Sequence, residues 1–289
     1  MLDEDGFVAA VVEMIRRAET CLPKDVVRAL KKMEKTEGSR TAKFQYSLML
    51  KNLRVARRRG YPICQDTGTL TFFVRMGRKL RLDFNLYEAL RRAVSIATTE
   101  VPLRINVVDP IHRTPMKTNT GAGQPAVHCE MVGGEELTID LLVRGSGAEN
   151  CGKFSMLTPT EGLEGIERMV LETIAQAGGK PCPPTIVGVG IGGFMETACI
   201  MAKHALTRPL GTLNPDPDLR RLERKIELAA NGLDIGPMGL GGATTVLGVH
   251  IEKAACHTAS LPVAVALQCW AARRARAVLK GGSLRLVEP

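Results

Sequence analysis

The chain has 289 residues, 45% of them hydrophobic and 24% charged, which excludes a disordered chain and predicts a globular protein. No apolar run reaches the roughly 18 to 20 residues that span a bilayer, and the segment from Met1 to Asp5 is acidic where a signal peptide is basic. We therefore predict a cytoplasmic protein that has no contact with membranes.

The net charge of +9 raises the question of a nucleic-acid partner, but its distribution argues against one. Basic residues are spread along the chain, and the one dense run, Arg57 to Arg59, stands near the end of a predicted helix, where cations suit the helix dipole. Aromatic residues make up 4% of the chain, too few for base stacking. We predict small anionic substrates and no nucleic acid.

The spacing of apolar residues predicts a helical start followed by alternating strands and helices. Helices are predicted over residues 4–20, 24–35 and 40–58, and again near 86–99, 161–177, 195–206 and 217–231. Short apolar runs predict strands, several of them too continuous to have a solvent-facing side. These runs are Leu70–Val74, Ile105–Val108, Val127–Val132, Leu137–Val143, Thr185–Ile191, Thr244–Ile251 and Val263–Leu267.

This order of elements predicts a mixed α/β (α+β) fold, in which a helical N-terminal third is followed by mixed sheets flanked by helices. No linker is long enough to force a domain boundary. We therefore expect a single domain over residues 1–289, with the helical segment of about residues 1–58 packed on it.

The stretch from Tyr61 to Thr69 is the most informative motif of the chain. It places the thiol of Cys64, the amide of Gln65, the carboxylate of Asp66 and two threonine hydroxyls in a short turn before an apolar run. Such a concentration of reactive and hydrogen-bonding groups in a turn predicts a functional site.

Eight cysteines, at positions 21, 64, 129, 151, 182, 199, 256 and 269, form no C-x-x-C pair. The spacing gives no support to zinc ribbons or thioredoxin-type motifs, and a reducing compartment argues against disulfides. Cys129 and Cys199 stand in apolar runs and are expected to be buried. Cys64, Cys182 and Cys269 instead stand at the edges of strands or loops, next to polar or turn-forming residues.

Three glycine-rich segments have more than one interpretation. Gly188–Gly193 matches G-x-G-x-x-G, but no second strand ending in an acidic residue follows about 20 residues later, which disfavours nicotinamide or flavin binding. Glycines at such a strand-to-helix turn also permit close backbone approach and leave helix amides for an anion. Gly145–Lys153 and Gly236–Thr245 are either amide nests for a carboxylate or plain tight turns.

Two further side chains are candidates for the same chemistry. His257 precedes the predicted strand that ends near Cys269, so that strand can carry an imidazole at one end and a thiolate at the other, unless the chain bends. A structural role is the alternative for this histidine. Arg104 is the best-placed guanidinium for a dicarboxylate, with an ordinary surface arginine as the alternative.

Jointly, these segments resemble the iron–sulfur hydro-lyases called class I fumarases and L-tartrate dehydratases. The resemblance runs from about residue 10 to residue 280 and matches the N-terminal region of one-chain fumarases, or the α subunit of their two-subunit relatives. The matching segments are Pro62–Thr69, Leu103–Arg104, Asn119–Gly121, Gly145–Gly147, Glu149–Asn150, Cys182–Pro184, Ile191–Gly193, and His257–Ser260 followed by Cys269.

The resemblance implies a cofactor and a set of site residues. Cys64, Cys182 and Cys269 would hold a [4Fe–4S] cluster with one iron open to act as a Lewis acid without redox work. The implied substrate contacts are Gln65, Asp66, Arg104, Gly145, Ser146 and Gly147. The implied catalytic residues are Asp66 and His257, with His257 beside the substrate.

The chain departs from the family pattern at two cysteine positions. Leu261 stands where one-chain fumarases have an additional cysteine, which leaves Cys269 as the candidate for the third ligand. Cys151 is an unmatched extra cysteine within the Gly145 loop.

The implied function is that of a fumarate hydratase α subunit, which interconverts fumarate and L-malate. L-Tartrate dehydratase, which makes oxaloacetate and water from L-tartrate, is the alternative. The family's serine/threonine-rich acid–base segment follows the region matched here, so we expect a separate β subunit and an α2β2 heterotetramer. A non-catalytic iron–sulfur or dinucleotide-binding module is the interpretation from a different class.

Overall fold

The computed structural model describes residues 2–287. The chain divides into two compact units. The first unit contains residues up to 24, residues 52–145 and residues from 273 onward, and the second contains residues 25–51 and 146–272. The single domain expected from the sequence stays a prediction, because units whose segments interleave along the chain can still form one domain.

Within the described residues the chain forms eight α-helices and nine strands. The helices are α1 (Glu4–Thr20), α2 (Lys24–Thr36), α3 (Arg40–Arg59), α4 (Leu86–Glu100), α5 (Ser146–Glu149), α6 (Gly162–Ala177), α7 (Met195–Ala205) and α8 (Pro217–Asn231). The strands are β1 (Thr69–Gly77), β2 (Ala126–Val132), β3 (Leu137–Arg144), β4 (Lys153–Leu157), β5 (Thr185–Ile191), β6 (Val246–Lys253), β7 (Leu261–Gln268), β8 (Arg274–Lys280) and β9 (Ser283–Val287). The predicted mixed α/β class is confirmed, as is every predicted helix.

One predicted strand, Ile105–Val108, is wrong. The segment is a loop that makes a single isolated bridge, between Val108 and Pro115. The backbone N–H of Asn106, which would pair with a neighbouring strand, donates instead to the side-chain Oδ1 of Asn119 at 2.8 Å. Strands β4, β8 and β9 were not predicted, because polar or charged residues keep their apolar runs to three residues or fewer, and α5 was not predicted because it is a single helical turn.

The first unit is a five-stranded sheet with two helices on one face. The strand order is β2-β1-β3-β8-β9, and only β1 and β2 run parallel. Helices α1 and α4 pack on the sheet because alternate residues of the strands, such as Phe72 and Ile139, meet the apolar stripes that include Phe7 and Leu90. Asp3 caps α1, accepting a hydrogen bond from Gly6 N at 2.7 Å.

The second unit is built on a four-stranded sheet with the order β4-β7-β5-β6. β5 and β6 are parallel, whereas β7 runs antiparallel to both β5 and β4. β5 and β7 are buried along nearly their whole length, which confirms that these apolar runs have no solvent-facing side. α6, α7 and α8 surround this sheet.

The glycines of the G-x-G-x-x-G segment serve helix packing. A Cβ on Gly188 would lie 2.0 Å from Ala202 O, and one on Gly190 would lie 2.0 Å from Ala198 O, both on α7. A Cβ on Gly192 would lie 2.1 Å from Ala254 O. The backbone that these glycines allow to approach is therefore that of α7 and of the loop after β6, which explains the motif without a dinucleotide.

The Gly236–Thr245 segment binds a carboxylate, and that carboxylate is part of the chain. Ala243 N donates to Glu37 Oε2 at 3.1 Å, while Gly38 N and Ser39 N donate to Glu37 Oε1 at 2.9 and 3.0 Å. Glu37 is buried. Of the two interpretations left open for this segment, the structure shows one amide of the segment, Ala243 N, bound to the carboxylate that follows α2.

None of the helices in the described part of the chain combines the length and the apolar character needed to cross a membrane.

Candidate active site

In the first unit, the predicted turn between α3 and β1 holds two exposed side chains, Cys64 and Gln65. Just before them, Ile63 N donates to Glu19 O at 2.8 Å, and Asn52 Nδ2 donates to Ile63 O at 2.8 Å. The thiol and the amide therefore project from a segment whose backbone is tied to two helices, α1 and α3.

On the other side of Gln65, a buried arginine holds the backbone of Asp66. Arg273 Nη2 donates to Asp66 O at 2.9 Å, and Arg273 Nη1 pairs with Glu19 Oε2 at 2.7 Å. Both Glu19 and Arg273 are fully buried. Burial raises the pKa of Glu19 to about 7 against the lowering effect of Arg273, and the nearby charge of Asp66 raises it further.

The carboxylate of Asp66 is oriented by donors on two sides. Oδ1 accepts from Gly68 N at 2.9 Å and from Asn106 Nδ2 at 3.4 Å. A Cβ on Gly145 would lie 2.8 Å from Asp66 Oδ2. Only a glycine at position 145 lets the two segments approach this closely, so the first unit brings Asp66 and Gly145 together as predicted site residues.

Arg104 is fastened to the same turn through its backbone. Its N donates to Thr67 Oγ1 at 3.1 Å, and its carbonyl accepts from Asn119 Nδ2 at 3.0 Å. The side chain is exposed, and its guanidinium has no hydrogen-bond or ion-pair partner within residues 2–287. A rigid backbone with an unengaged guanidinium suits the binding of an external carboxylate.

In the second unit, the loops of Cys182 and Cys269 touch. Trp270 N donates to Cys182 O at 3.1 Å, and Cys182 adopts a left-handed backbone with φ of 53°. Both cysteines are partly exposed. Because Thr185 and Gln268 begin and end paired strands at the same edge, the two thiols lie at one end of the sheet.

The loop that contains Ser146 and Gly147 lies at this same end. A Cβ on Gly147 would lie 2.8 Å from the carbonyl oxygen of Lys180, two residues before Cys182. Gly147 also lines a cavity of about 480 Å³ with Asn150, Lys153 and Lys180 among its walls. A larger cavity of about 620 Å³ in this unit, beside α8, contains none of the predicted site residues.

His257 lies at the opposite end of the sheet. Its loop joins β6 to β7 and is held over the end of β5, where Gly193 N donates to Ala255 O at 3.1 Å. The strand from Leu261 to Gln268 separates this loop from Cys269, a span of about 23 Å at about 3.3 Å per residue. His257 and Cys269 therefore lie at opposite ends of β7, and the place of His257 beside the substrate stays a prediction.

The hydrogen bond of His257 defines its tautomer. Ala259 N donates to His257 Nδ1 at 3.1 Å, so Nδ1 is an acceptor and the proton of the neutral imidazole is on Nε2. The ring is exposed. His257 therefore presents a hydrogen-bond donor to solvent or to a ligand, and its protonated Nε2 is not available for proton abstraction.

The cysteines fit the donor set of an iron–sulfur cluster in chemistry and exposure. None of the eight is in a disulfide, and Cys64, Cys182 and Cys269 all have solvent-accessible surface. Within residues 2–287, no group of three or more His, Cys, Asp or Glu side chains is close enough to hold a metal ion. The expectation that Cys129 is buried is wrong, because it lies on the edge strand β2, and Cys199 is only half-buried.

Sequence reasoning missed the residues that orient the turn. Arg273 donates to Asp66 O, and Glu19 O accepts from Ile63 N. The side chain of Asn106 donates to Asp66 Oδ1 and to Gly68 O. No sequence signal connects Glu19 with Arg273, because 254 positions separate them.

Comparison with known proteins decides the family. The chain matches the family described as fumarate hydratase (fumerase) over residues 8–278. It belongs to this family. The predicted resemblance is thereby confirmed, and the family member described here is an enzyme of the hydro-lyase class.

The curated relatives of this family member carry the name of another hydro-lyase. It is 44% identical over 269 residues to "Putative L(+)-tartrate dehydratase subunit alpha" of Methanocaldococcus jannaschii, covering 92% of this chain and 94% of the relative. It is 40% identical over 256 residues to "L(+)-tartrate dehydratase subunit alpha" of Escherichia coli strain UTI89, covering 88% and 84%. The K12 protein of the same name is 39% identical over the same length.

Proposed function

We propose that this chain is the α subunit of a fumarate hydratase and catalyses the reversible hydration of fumarate to L-malate together with a separate β subunit. The observation that carries the proposal is the family match over residues 8–278, together with the convergence of Asp66, Arg104 and Gly145 on one turn. L-Tartrate dehydratase is the second candidate, because the curated relatives bear that name.

The proposed cofactor is a [4Fe–4S] cluster held by Cys64, Cys182 and Cys269. The cluster, when bound, supplies a Lewis acid for the substrate hydroxyl without changing oxidation state. The support on the protein side is chemical: three accessible thiols, two of them on loops joined by the Trp270–Cys182 hydrogen bond.

The residues around the turn supply recognition of the dicarboxylate. The guanidinium of Arg104 and the side-chain amide of Gln65 donate to substrate carboxylate oxygens, and the backbone amides of the Gly145-Ser146-Gly147 loop add further donors. Arg104 can do so without breaking an internal bond, because its guanidinium has no partner in the described residues. The anionic substrate thereby meets a guanidinium that needs no rearrangement.

Asp66 and His257 are the proposed catalytic groups. Dehydration of L-malate removes a proton from the carbon next to the one that bears the hydroxyl, so a base must be held close to the substrate. Asp66 is the proposed base, since Gly68 N and Asn106 orient its Oδ1. His257 acts as a hydrogen-bond donor through Nε2, and it reaches the cluster end only from a second copy of the chain.

The proposed assembly is a heterotetramer of two α and two β subunits. The chain spans 94% of a relative that is itself named an alpha subunit, which supports a β partner. The second α copy is the source of His257 for each site, because β7 separates His257 from Cys269 within one chain. We further propose a cytoplasmic location, which protects an oxygen-sensitive cluster and its thiols.

The experiment is an anaerobic assay of the purified chain alone and after co-expression with the neighbouring reading frame. We expect fumarate consumption, followed at 240 nm, only from the co-expressed complex, with a turnover of at least about 1 s⁻¹. Oxaloacetate formed from L-tartrate at the higher catalytic efficiency would select the second candidate. A complex that carries iron and sulfide but converts neither substrate would support the non-catalytic module instead.

A further inference from the structure

The turn that carries Cys64, Gln65 and Asp66 rests on a buried ion pair that no sequence motif includes. Glu19, on α1, and Arg273, the residue before β8, are both inaccessible to solvent and are joined at 2.7 Å. They hold the turn at two points: the backbone carbonyl of Glu19 binds Ile63 N, and the guanidinium of Arg273 binds Asp66 O. Cys64 and Gln65 lie between these two points.

A buried ion pair of this kind adds little net stability to a fold. In many proteins the desolvation penalty of two buried charges exceeds the free energy of their attraction. Replacing a buried pair by apolar residues is therefore often neutral or stabilising. Here burial raises the pKa of Glu19 despite its bond to Arg273. Its second carboxylate oxygen, Oε1, is buried without a hydrogen-bond partner among the described residues. Stability alone therefore does not explain the pair.

Arginine has the geometry that the position requires. One terminal nitrogen of Arg273 binds Glu19 and the other binds Asp66 O, so the planar guanidinium fixes the distance between α1 and the turn. The carbonyl of Arg273 also accepts from Val143 N on β3 at 3.1 Å, which anchors the arginine backbone to the sheet. A lysine carries the same charge but cannot present two rigid donors.

We propose that Glu19 and Arg273 are positioning residues, which hold the Cys64–Asp66 turn in the single arrangement that the proposed hydro-lyase reaction needs. The inference rests on the proposed function for the reaction itself. The positioning, however, is a property of the chain without cofactor, substrate or partner subunit. The two parts can therefore be tested separately.

The first test measures amide hydrogen exchange in the full-length chain without cluster. In Arg273→Lys and Glu19→Gln, we expect the amides of Ile63 and Gly68, which donate to Glu19 O and Asp66 Oδ1, to exchange at least about tenfold faster, with the strands of the same sheet unchanged. Asp140→Asn is the matched control, because Asp140 is also buried and forms a two-bond ion pair with Arg276 in the same sheet. It should lower stability without loosening the turn.

The exchange test has clear contrary outcomes. The proposal is overturned if the amides of Ile63 and Gly68 keep parental exchange in both variants, or if Asp140→Asn speeds their exchange equally at the same loss of stability. It is also overturned if Arg273→Lys alone retains the parental exchange pattern, because a positive charge without the guanidinium geometry would then be enough to hold the turn. Should Arg273→Lys fail to fold, Glu19→Gln, which keeps the size and a carbonyl acceptor, gives the same comparison.

The second test uses the co-expressed complex. We expect Glu19→Gln to lower kcat about tenfold or more, because Asp66 and Gln65 are no longer held in register, while Asp140→Asn keeps parental kcat. Parental kcat in Glu19→Gln would overturn the link to catalysis. If the parental complex converts neither fumarate nor tartrate, the proposed function fails, and the exchange measurements still decide whether the pair positions the turn.

Discussion

Cys269 and His257 lie at opposite ends of β7, with the eight residues from Leu261 to Gln268 between them. A four-carbon dicarboxylate is far too short to touch both. In the proposed assembly, one α copy would supply His257 to the site that contains Cys269 of the other copy. The separation of His257 from Cys269 along β7 is the reason for proposing that two α subunits pair.

This arrangement predicts complementation between two inactive chains. Complexes made with His257→Ala alone or with Cys269→Ser alone should be inactive. When both chains are co-expressed with the β subunit, random pairing in a symmetric dimer should restore about a quarter of parental activity. Activity that remains at zero in verified mixed complexes would place both residues in the same copy's site or remove His257 from catalysis.

Serine replacements should separate cluster ligands from other cysteines. In anaerobically prepared protein we expect about four irons and four sulfides per chain, and loss of the brown chromophore in Cys64→Ser, Cys182→Ser and Cys269→Ser. Cys199→Ser is the control, because partial burial raises the pKa of its thiol and disfavours the thiolate that binds iron. Equal iron loss in the control would contradict the assignment.

Arg104→Ala should weaken the binding of the dicarboxylate. The guanidinium has no internal partner, so the change removes a charge-assisted bond to substrate, worth about 1.5 to 3 kcal/mol, without disturbing the fold. We expect KM to rise about ten- to a hundredfold in steady-state assays of the complex. Arg58→Ala, at an exposed position on α3, should leave KM unchanged, and an equal effect of the two substitutions would reduce Arg104 to a surface residue.

Gly145→Ala should displace Asp66. The added methyl group would lie 2.8 Å from Asp66 Oδ2, closer than a carbon and an oxygen can approach. We expect kcat to fall about 10- to 100-fold, with the melting temperature little changed because the loop can shift. Gly133→Ala, which meets no atom within 4 Å, is the control, and parental kcat in Gly145→Ala would show that Asp66 need not sit where it does.

The raised pKa of Glu19 predicts a pH dependence of stability with a definite sign. Between about pH 4.5 and 7 the folded chain retains a proton on Glu19 that the unfolded chain has released, so the free energy of unfolding falls as pH rises. Each unit by which the pKa of Glu19 differs between the folded and unfolded chain corresponds to about 1.4 kcal/mol in the free energy of unfolding. Urea unfolding of Glu19→Gln should lack this component of the slope, and parallel pH profiles for parent and variant would disprove the shift.

The sequence by itself determined most of the local structure and the family. Helices α1 to α4 and α6 to α8 follow from apolar residues at helical spacing, and strands such as β5 follow from short continuous apolar runs, because both patterns reflect burial of one face or of a whole segment. The turn from Pro62 to Thr69 was identifiable because its reactive residues are adjacent in the chain. Strand β8 went unpredicted, since its arginines leave an apolar run of only three residues, Ala277 to Leu279.

Only the tertiary structure decided how the candidate residues group. The spacing of His257 and Cys269 allowed either a bent or a straight path, and pairing of β7 with both β4 and β5 made it straight and placed them apart. The glycines of Gly188–Gly193 were ambiguous until α7 was seen to pack on them. Glu19 and Arg273 were invisible beforehand, because an ion pair between distant positions leaves no periodic pattern and arises only when the sheet and α1 enclose both charges.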